Sequence, residues 1–189
     1  AEDIKNYSKQ VLDFWKANSD FFFSWEGWRY SEDLVMTGGV MKRYPKFEAD
    51  GYYPTRSVLG QNEDGSFEIN WARSDDNEYS NLYKYPGGPV KYTSLDAAMS
   101  AERYWWWPVE ACGGGPRLVH DGHRDSSTFY DLECMNFNQG PTGATSRTAY
   151  GLKADGKMII FVLTDPTGGI TLAELATYMK NLGCVEALN

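Results

Sequence analysis

The chain lacks the features that mark the commonest classes of enzyme and membrane protein. It contains no run of about 18 apolar residues, which excludes a hydrophobic helix long enough to span a membrane. It has no G-x-S-x-G elbow, no P-loop, no G-x-G-x-x-G fingerprint and no H-E-x-x-H motif. These absences exclude the usual signatures of serine hydrolases, nucleotide-binding folds and zinc proteases.

Positive charge and cysteine are also scarce. Lys and Arg total 18 against 26 Asp and Glu, a net charge of -8, so we expect no nucleic-acid partner, although a single arginine can still hold one phosphate. The three cysteines, Cys112, Cys134 and Cys184, show no C-x-x-C spacing and predict neither a zinc knuckle nor a disulfide framework. We interpret them as small buried hydrophobic residues, with at most one disulfide.

Length and hydrophobic pattern predict one domain over residues 1–189. The first half of the chain alternates apolar runs with turn residues. It predicts a helix over 3–17, a fully buried strand at 21–23, hairpins turning at 37–39 and 62–65, a polar loop over 74–89, and a helix capped by Ser94.

The last third of the chain has the clearest pattern. Segments 147–153 and 157–165 predict two strands joined by a turn at 154–156. Thr171 and Glu174 have capping-box spacing, Gly183 suits the end of the helix that follows, and 184–189 predicts a final strand. One helical face carries Leu172, Leu175, Ala176, Met179 and Leu182. Together the segments predict an α+β fold with a mixed, largely antiparallel sheet, hairpins and a few packed helices.

Two segments suit the binding of an anion. Gly113, Gly114 and Gly115 remove side chains at successive positions, so that backbone N–H groups could approach a ligand closely. The alternative for this run is a bulge or tight turn between strands. Arg147 could grip two phosphate oxygens while the Thr148 hydroxyl donates to a third, although a surface ion pair is the commoner role of an isolated arginine.

Two further groups of residues have candidate binding roles. His120, Asp121, His123 and Asp125 are potential metal ligands, but their spacing does not match a helical zinc motif; we favour a solvated loop and predict no metal and no cofactor. Among the tryptophans, Trp28 could pack against a sugar. Three successive residues, 105–107, are also Trp, and they cannot all face one side of a strand, so we expect at least one in a cleft or at an interface.

Three segments in this order resemble the phosphodiester glycosidase family. ACGGGPRLVHDG resembles the family's Gly-Gly-Pro, apolar strand and turn glycine. SRTAYGLKADGKMIIFVLTD resembles its Arg-Thr-Ala-x-Gly strand and hairpin, and GGITLAELATYMKNLGCVEALN resembles its cap, helix and last strand. The resemblance covers residues 112–189 and is looser before them.

The resemblance implies hydrolysis of sugar 1-phosphodiesters by a secreted or cell-surface protein whose ligand is a glycan or sugar phosphate. In the family the Ala-Leu-Asn strand leads into an Asp-Gly-Gly loop, which is missing here. We therefore expect a truncated domain that has little or no activity by itself and that a companion chain or self-assembly could complete. The alternative is a non-catalytic carbohydrate-binding or assembly module on the same fold. The implied residues are, for catalysis, Arg147, Thr148 and Asp165 and, for substrate binding, Gly113, Gly114, Gly115, Trp28 and Asn189.

Overall fold

A computed structural model describes residues 34–43, 51–75, 81–135, 140–164 and 168–189. All of them belong to one compact unit that spans residues 33–189. The helix predicted over 3–17, the strand at 21–23, Trp28 and Asp165 lie outside the described residues. The assignment of 1–189 to a single domain stays a prediction.

Strands dominate the described part of the chain, and they form two main sheets and one short ribbon. The large sheet contains seven strands, in spatial order β2 (Val40–Arg43), β1 (Val35–Thr37), β9 (Glu110–Gly113), β4 (Arg56–Gln61), β5 (Phe67–Ser74), β6 (Leu82–Lys84) and β8 (Tyr104–Trp105). The small sheet contains five, in the order β11 (His123–Arg124), β10 (Arg117–His120), β14 (Cys184–Leu188), β12 (Arg147–Lys153) and β13 (Met158–Leu163). The ribbon pairs β3 (Tyr53–Pro54) with β7 (Lys91–Tyr92).

Helices α1 (Leu95–Ser100), α2 (Ser126–Leu132) and α3 (Leu172–Asn181) complete the described fold. Each pairing between the described strands is antiparallel. The described fold is therefore strand-rich, with antiparallel sheets and three helices. A mixed sheet was predicted, but these strands form no parallel pair. No described helix has both the length and the apolar character needed to cross a membrane.

The predicted hairpins are confirmed at the turns that carried the signal. Gly38 and Gly39 have φ values of 57° and 71°, the positive range that a two-residue hairpin turn requires. The predicted loop over 74–89 is wrong in part, because β6 forms within it and pairs with β5 and β8. Leu82, at the start of β6, is completely buried in the large sheet, and this burial stabilises a strand in an otherwise polar segment.

Helix α3 covers one face of the small sheet. Its capping box is present, since Thr171 Oγ1 accepts from Glu174 N at 3.2 Å and Glu174 Oε2 accepts from Thr171 N at 3.0 Å. Leu182 was predicted on the buried face but is 43% exposed, because the helix ends before it and Gly183 reverses the chain with a φ of 86°. The buried contacts of the helix with the sheet are made by Leu172, Leu175, Ala176 and Met179 against Leu118, Val119, Ala149 and Ala187.

The opposite face of the small sheet packs against the large sheet. Leu152 and Leu188 meet Leu59 and Ile69 in a second apolar cluster. Cys184 is buried, whereas Cys112 and Cys134 are half-buried. The two sheets are therefore held together by apolar side chains and by the polar network described next, without a disulfide among the described residues.

Candidate functional site

Three strand ends meet at one edge of the small sheet. Leu188 pairs with Arg117 on β10 and with Tyr150 on β12, so the chain before Arg117 and the start of β12 lie beside the end of β14. There Asn189 Nδ2 donates to Gly115 O at 2.9 Å and Gly115 N donates to Asn189 O at 2.6 Å. We call this place the Gly115–Asn189 edge. It brings together the predicted glycine run and Asn189.

The glycine amides at this edge are already hydrogen-bonded. Gly113 N donates to Leu34 O at 2.7 Å and Gly114 N donates to Ser57 O at 3.0 Å. A Cβ atom on Gly114 would lie 2.8 Å from Asn189 O, closer than van der Waals contact. In this structure the glycines let β9 and β10 pass close to the end of β14. Their role in substrate binding stays a prediction.

Arg147 and Thr148 do not lie on the same side of β12. Arg147 is 8% exposed, and it donates from Nε to Ile170 O at 3.4 Å and from Nη2 to Gly143 O at 3.1 Å. Thr148 is exposed. Because successive residues of a strand face opposite sides of the sheet, the two side chains cannot grip one phosphate together without a change of backbone.

A buried carboxylate that the sequence did not single out lies behind the edge. Glu133 is 0% exposed, and its Oε1 accepts from Arg117 N at 2.8 Å, Ser57 Oγ at 3.0 Å and Trp71 Nε1 at 3.1 Å. Its Oε2 accepts from Ser57 N at 2.8 Å and would lie 3.0 Å from a Cβ on Gly115. The carboxylate therefore joins both sheets directly beneath the glycine run.

Arg117 supplies the buried positive charge of this network. Its guanidinium lies over the ring of Trp71, with Cζ 4.2 Å from the ring centroid, and it forms an ion pair through Nη1 with Glu186. Its Nε donates to Ser57 Oγ at 3.2 Å, whereas its buried Nη2 donates to no atom of the described residues. Burial raises the pKa of Glu133, and the N–H and charge of Arg117 lower it in part.

The network continues from Arg117 to the surface turn after β10. Glu186 Oε1 lies 2.9 Å from His120 Nδ1 and accepts from Asp121 N at 2.9 Å. The Trp71 and His120 rings make a T-shaped contact, with centroids 4.6 Å apart. Asp125, which the sequence analysis considered as a potential metal ligand, caps α2 by accepting from Thr128 N at 3.1 Å.

Part of this network had a signal in the sequence. Arg117 precedes the apolar pair Leu118 and Val119 in β10, and Glu186 is the only charged residue of β14. A charge beside buried apolar residues indicates a buried partner. Glu133 follows a short helix with no periodic pattern, and nothing local marks it as the shared acceptor.

The chain matches the phosphodiester glycosidase family model over residues 30–189. One similar solved structure is the catalytic domain of zebrafish N-acetylglucosamine-1-phosphodiester alpha-N-acetylglucosaminidase, auto-inhibited by its pro-peptide. The TM-score is 0.51 and the sequence identity is 19%, and the match covers 82% of this chain and 44% of that chain. Another is a hypothetical protein from Synechocystis, with a TM-score of 0.46 and 12% identity over 82% of this chain and 42% of that chain. Comparison with curated proteins gives no match.

The chain therefore spans less than half the length of either solved structure. The family match, in contrast, takes in most of the chain and includes the glycine run, the Arg147 strand and the last strand. It confirms the resemblance drawn from residues 112–189. The chain belongs to the phosphodiester glycosidase family.

Proposed function

We propose that the chain acts on sugar 1-phosphodiesters of glycans, in a secreted or cell-surface setting, and that the Gly115–Asn189 edge binds the substrate. In the proposed reaction the oxygen of water forms a bond to the anomeric carbon while the bond from that carbon to the phosphate oxygen breaks. The phosphate oxygen leaves with the bonding pair as a phosphate monoester, and one proton of the water passes to the solvent. The observation that carries the proposal is the family match over residues 30–189.

The chemistry of the leaving group determines what the site must provide. A phosphate monoester is already a good leaving group, so stabilising its charge matters more than protonating it strongly. At the Gly115–Asn189 edge, Asn189 Oδ1 is buried and accepts no hydrogen bond from the described residues. A buried acceptor without a donor favours a ligand hydroxyl or amide N–H at this position.

The proposal can be tested by incubating the chain with N-acetylglucosamine 1-(methyl phosphate) and following methyl phosphate by phosphorus NMR. Release above the protein-free rate, lost in Asn189→Ala, would support hydrolysis at this edge. Binding of the diester without release would favour the non-catalytic alternative, and neither binding nor release would contradict both.

Arg147→Lys should weaken the binding of N-acetylglucosamine 1-phosphate, because lysine keeps the charge but loses the planar fork that holds two oxygens. The affinity should be measured by titration calorimetry beside the thermal unfolding midpoint, since the variant also changes the bonds to Ile170 O and Gly143 O. An unchanged affinity would contradict the role of Arg147 as a phosphate ligand. If the thermal unfolding midpoint fell while the affinity for the sugar phosphate stayed unchanged, the role of Arg147 would be loop packing alone.

One observation favours the alternative, a carbohydrate-binding module. Trp105, on the edge strand β8, is 63% exposed and stacks parallel to Trp107, with centroids 6.1 Å apart and planes within 5°. An exposed indole face of this kind suits the apolar face of a sugar ring.

Trp105→Ala should therefore weaken glycan binding while leaving the unfolding midpoint nearly unchanged, because an exposed side chain contributes little to the core. The matched control is Tyr104→Ala, which removes the other exposed aromatic ring of the same strand. Equal affinities of Trp105→Ala and the parent on a glycan array would exclude this surface as the binding site.

A further inference from the structure

We propose that the turn between β10 and β11 binds a divalent transition-metal ion such as Zn²⁺ through His120, Asp121 and His123. The turn lies at the other end of β10 from Gly115, so the ion would bind apart from the Gly115–Asn189 edge. Its role would be to fix this corner of the small sheet, independently of the proposed hydrolysis.

The backbone of the turn places His120 and His123 at facing positions of the hairpin. Asp121 and Gly122 have φ values of 49° and 73°, both positive, as in a type I′ hairpin turn. His120 and His123 are directly opposite each other in the register of β10 and β11. Opposite residues of an antiparallel pair project from the same face with Cβ atoms about 5 Å apart. The spacing that does not fit a helical zinc motif therefore fits a hairpin.

The first two ligand atoms are already at the separation that zinc requires. His120 Nε2 lies 3.5 Å from Asp121 Oδ2. Two ligands of a tetrahedral zinc ion, each bonded at about 2.1 Å, lie about 3.4 Å apart. An ion can therefore bind between these atoms with little movement of either side chain, and exposed His123 can turn its ring towards it.

Glu186 holds the His120 ring in the orientation that metal binding needs. Its Oε1 lies 2.9 Å from Nδ1, which places the proton on Nδ1 and leaves the Nε2 lone pair directed to the Asp121 side. Glu186 is fixed in turn by Arg117 and by Asp121 N. A histidine that binds zinc through one ring nitrogen usually donates a hydrogen bond from the other nitrogen to an acceptor such as a carboxylate.

The charge of the surroundings also favours a cation. One nitrogen of His120 and one carboxylate oxygen each of Asp121 and Glu186 lie within 4.8 Å of one another. The two carboxylates of Asp121 and Glu186 lie around His120, and Arg117, which pairs with Glu186, balances only one of them. A bound divalent ion would offset the excess.

The proposal can be tested on the full 189-residue chain by titrating ZnCl₂ while recording the imidazole signals by NMR. The chain has only two histidines, so every imidazole signal belongs to the proposed site. We expect one zinc ion per chain and perturbation of both rings. Asp121→Asn and His123→Ala should each weaken binding at least about tenfold. Both residues are exposed, so these variants should fold.

Asp155→Asn is the matched control, because Asp155 is also an exposed aspartate in a hairpin turn, between β12 and β13. It should bind zinc with the affinity of the parent. No change in either imidazole up to millimolar zinc would overturn the proposal. Parent affinity in either Asp121→Asn or His123→Ala would overturn it as well.

Discussion

Glu133→Ala is expected to lower the free energy of unfolding by about 3–5 kcal/mol, the usual cost of removing one member of a buried charged network. The truncation leaves Ser57 N, Trp71 Nε1 and Arg117 N without their acceptor in the interior. It also removes one of the carboxylates that face the buried Arg117 guanidinium. Urea unfolding should show a lower midpoint with an unchanged m-value.

The control for this variant is Glu133→Gln, which keeps the volume and one carbonyl acceptor but removes the charge. We expect a smaller loss than for alanine, because Gln Oε1 can still accept from several of the same donors. If Glu133→Ala unfolded within about 1 kcal/mol of the parent, the carboxylate would not be the centre that joins the two sheets.

Gly169→Ala should destabilise the chain by about 3 kcal/mol, the sum of overpacking and of a positive φ in a residue with a side chain. Gly169 has a φ of 98°, and a Cβ there would clash with the backbone carbon of Thr145. The clash would separate Thr145 from Ile170. These two residues exchange backbone hydrogen bonds of 3.3 and 2.9 Å. Arg147, held by Ile170 O, should move with them, so affinity for a sugar phosphate should also fall.

Gly140→Ala separates the cost of the steric clash from the cost of the positive φ. Gly140 has a φ of 62° and nothing within 4 Å of its Cβ position, so alanine there adds only the backbone cost of about 1–2 kcal/mol. Guanidinium unfolding of both variants should show the larger loss for Gly169→Ala. Equal losses would mean that the contact with Thr145 relaxes freely and does not hold this loop.

The elements that could be predicted from the sequence are those with local signals. The hairpins at Gly38–Gly39 and 154–156 and the capped helix α3 each depend on turn glycines or on a period of about 3.6 residues. Strand β6 was missed because three residues are too few to show alternation. The place of β14 in the sheet depends on pairing between distant segments, which local patterns do not specify.

The candidate site, too, has features that follow from local sequence patterns and features that depend on contacts between distant segments. The order of the strands around Gly115 and Asn189 brings these residues together. The opposite orientation of Arg147 and Thr148 follows from the period of two in a strand and could have been predicted. The convergence of Ser57, Trp71 and Arg117 on Glu133 could not, because it joins a helix end to strands of two different sheets.

The position of β14 between β10 and β12 has a consequence for synthesis on the ribosome. Strand β14 follows both neighbours in sequence, so a nascent chain reaches the end of β13 with only the β10–β11 and β12–β13 hairpins available for this sheet. Isolated hairpins are marginally stable, and their open edges can pair with other chains. The small sheet can close only after translation has delivered residues 184–188, and until then the facing edges of β10 and β12 stay unpaired in the emerging chain.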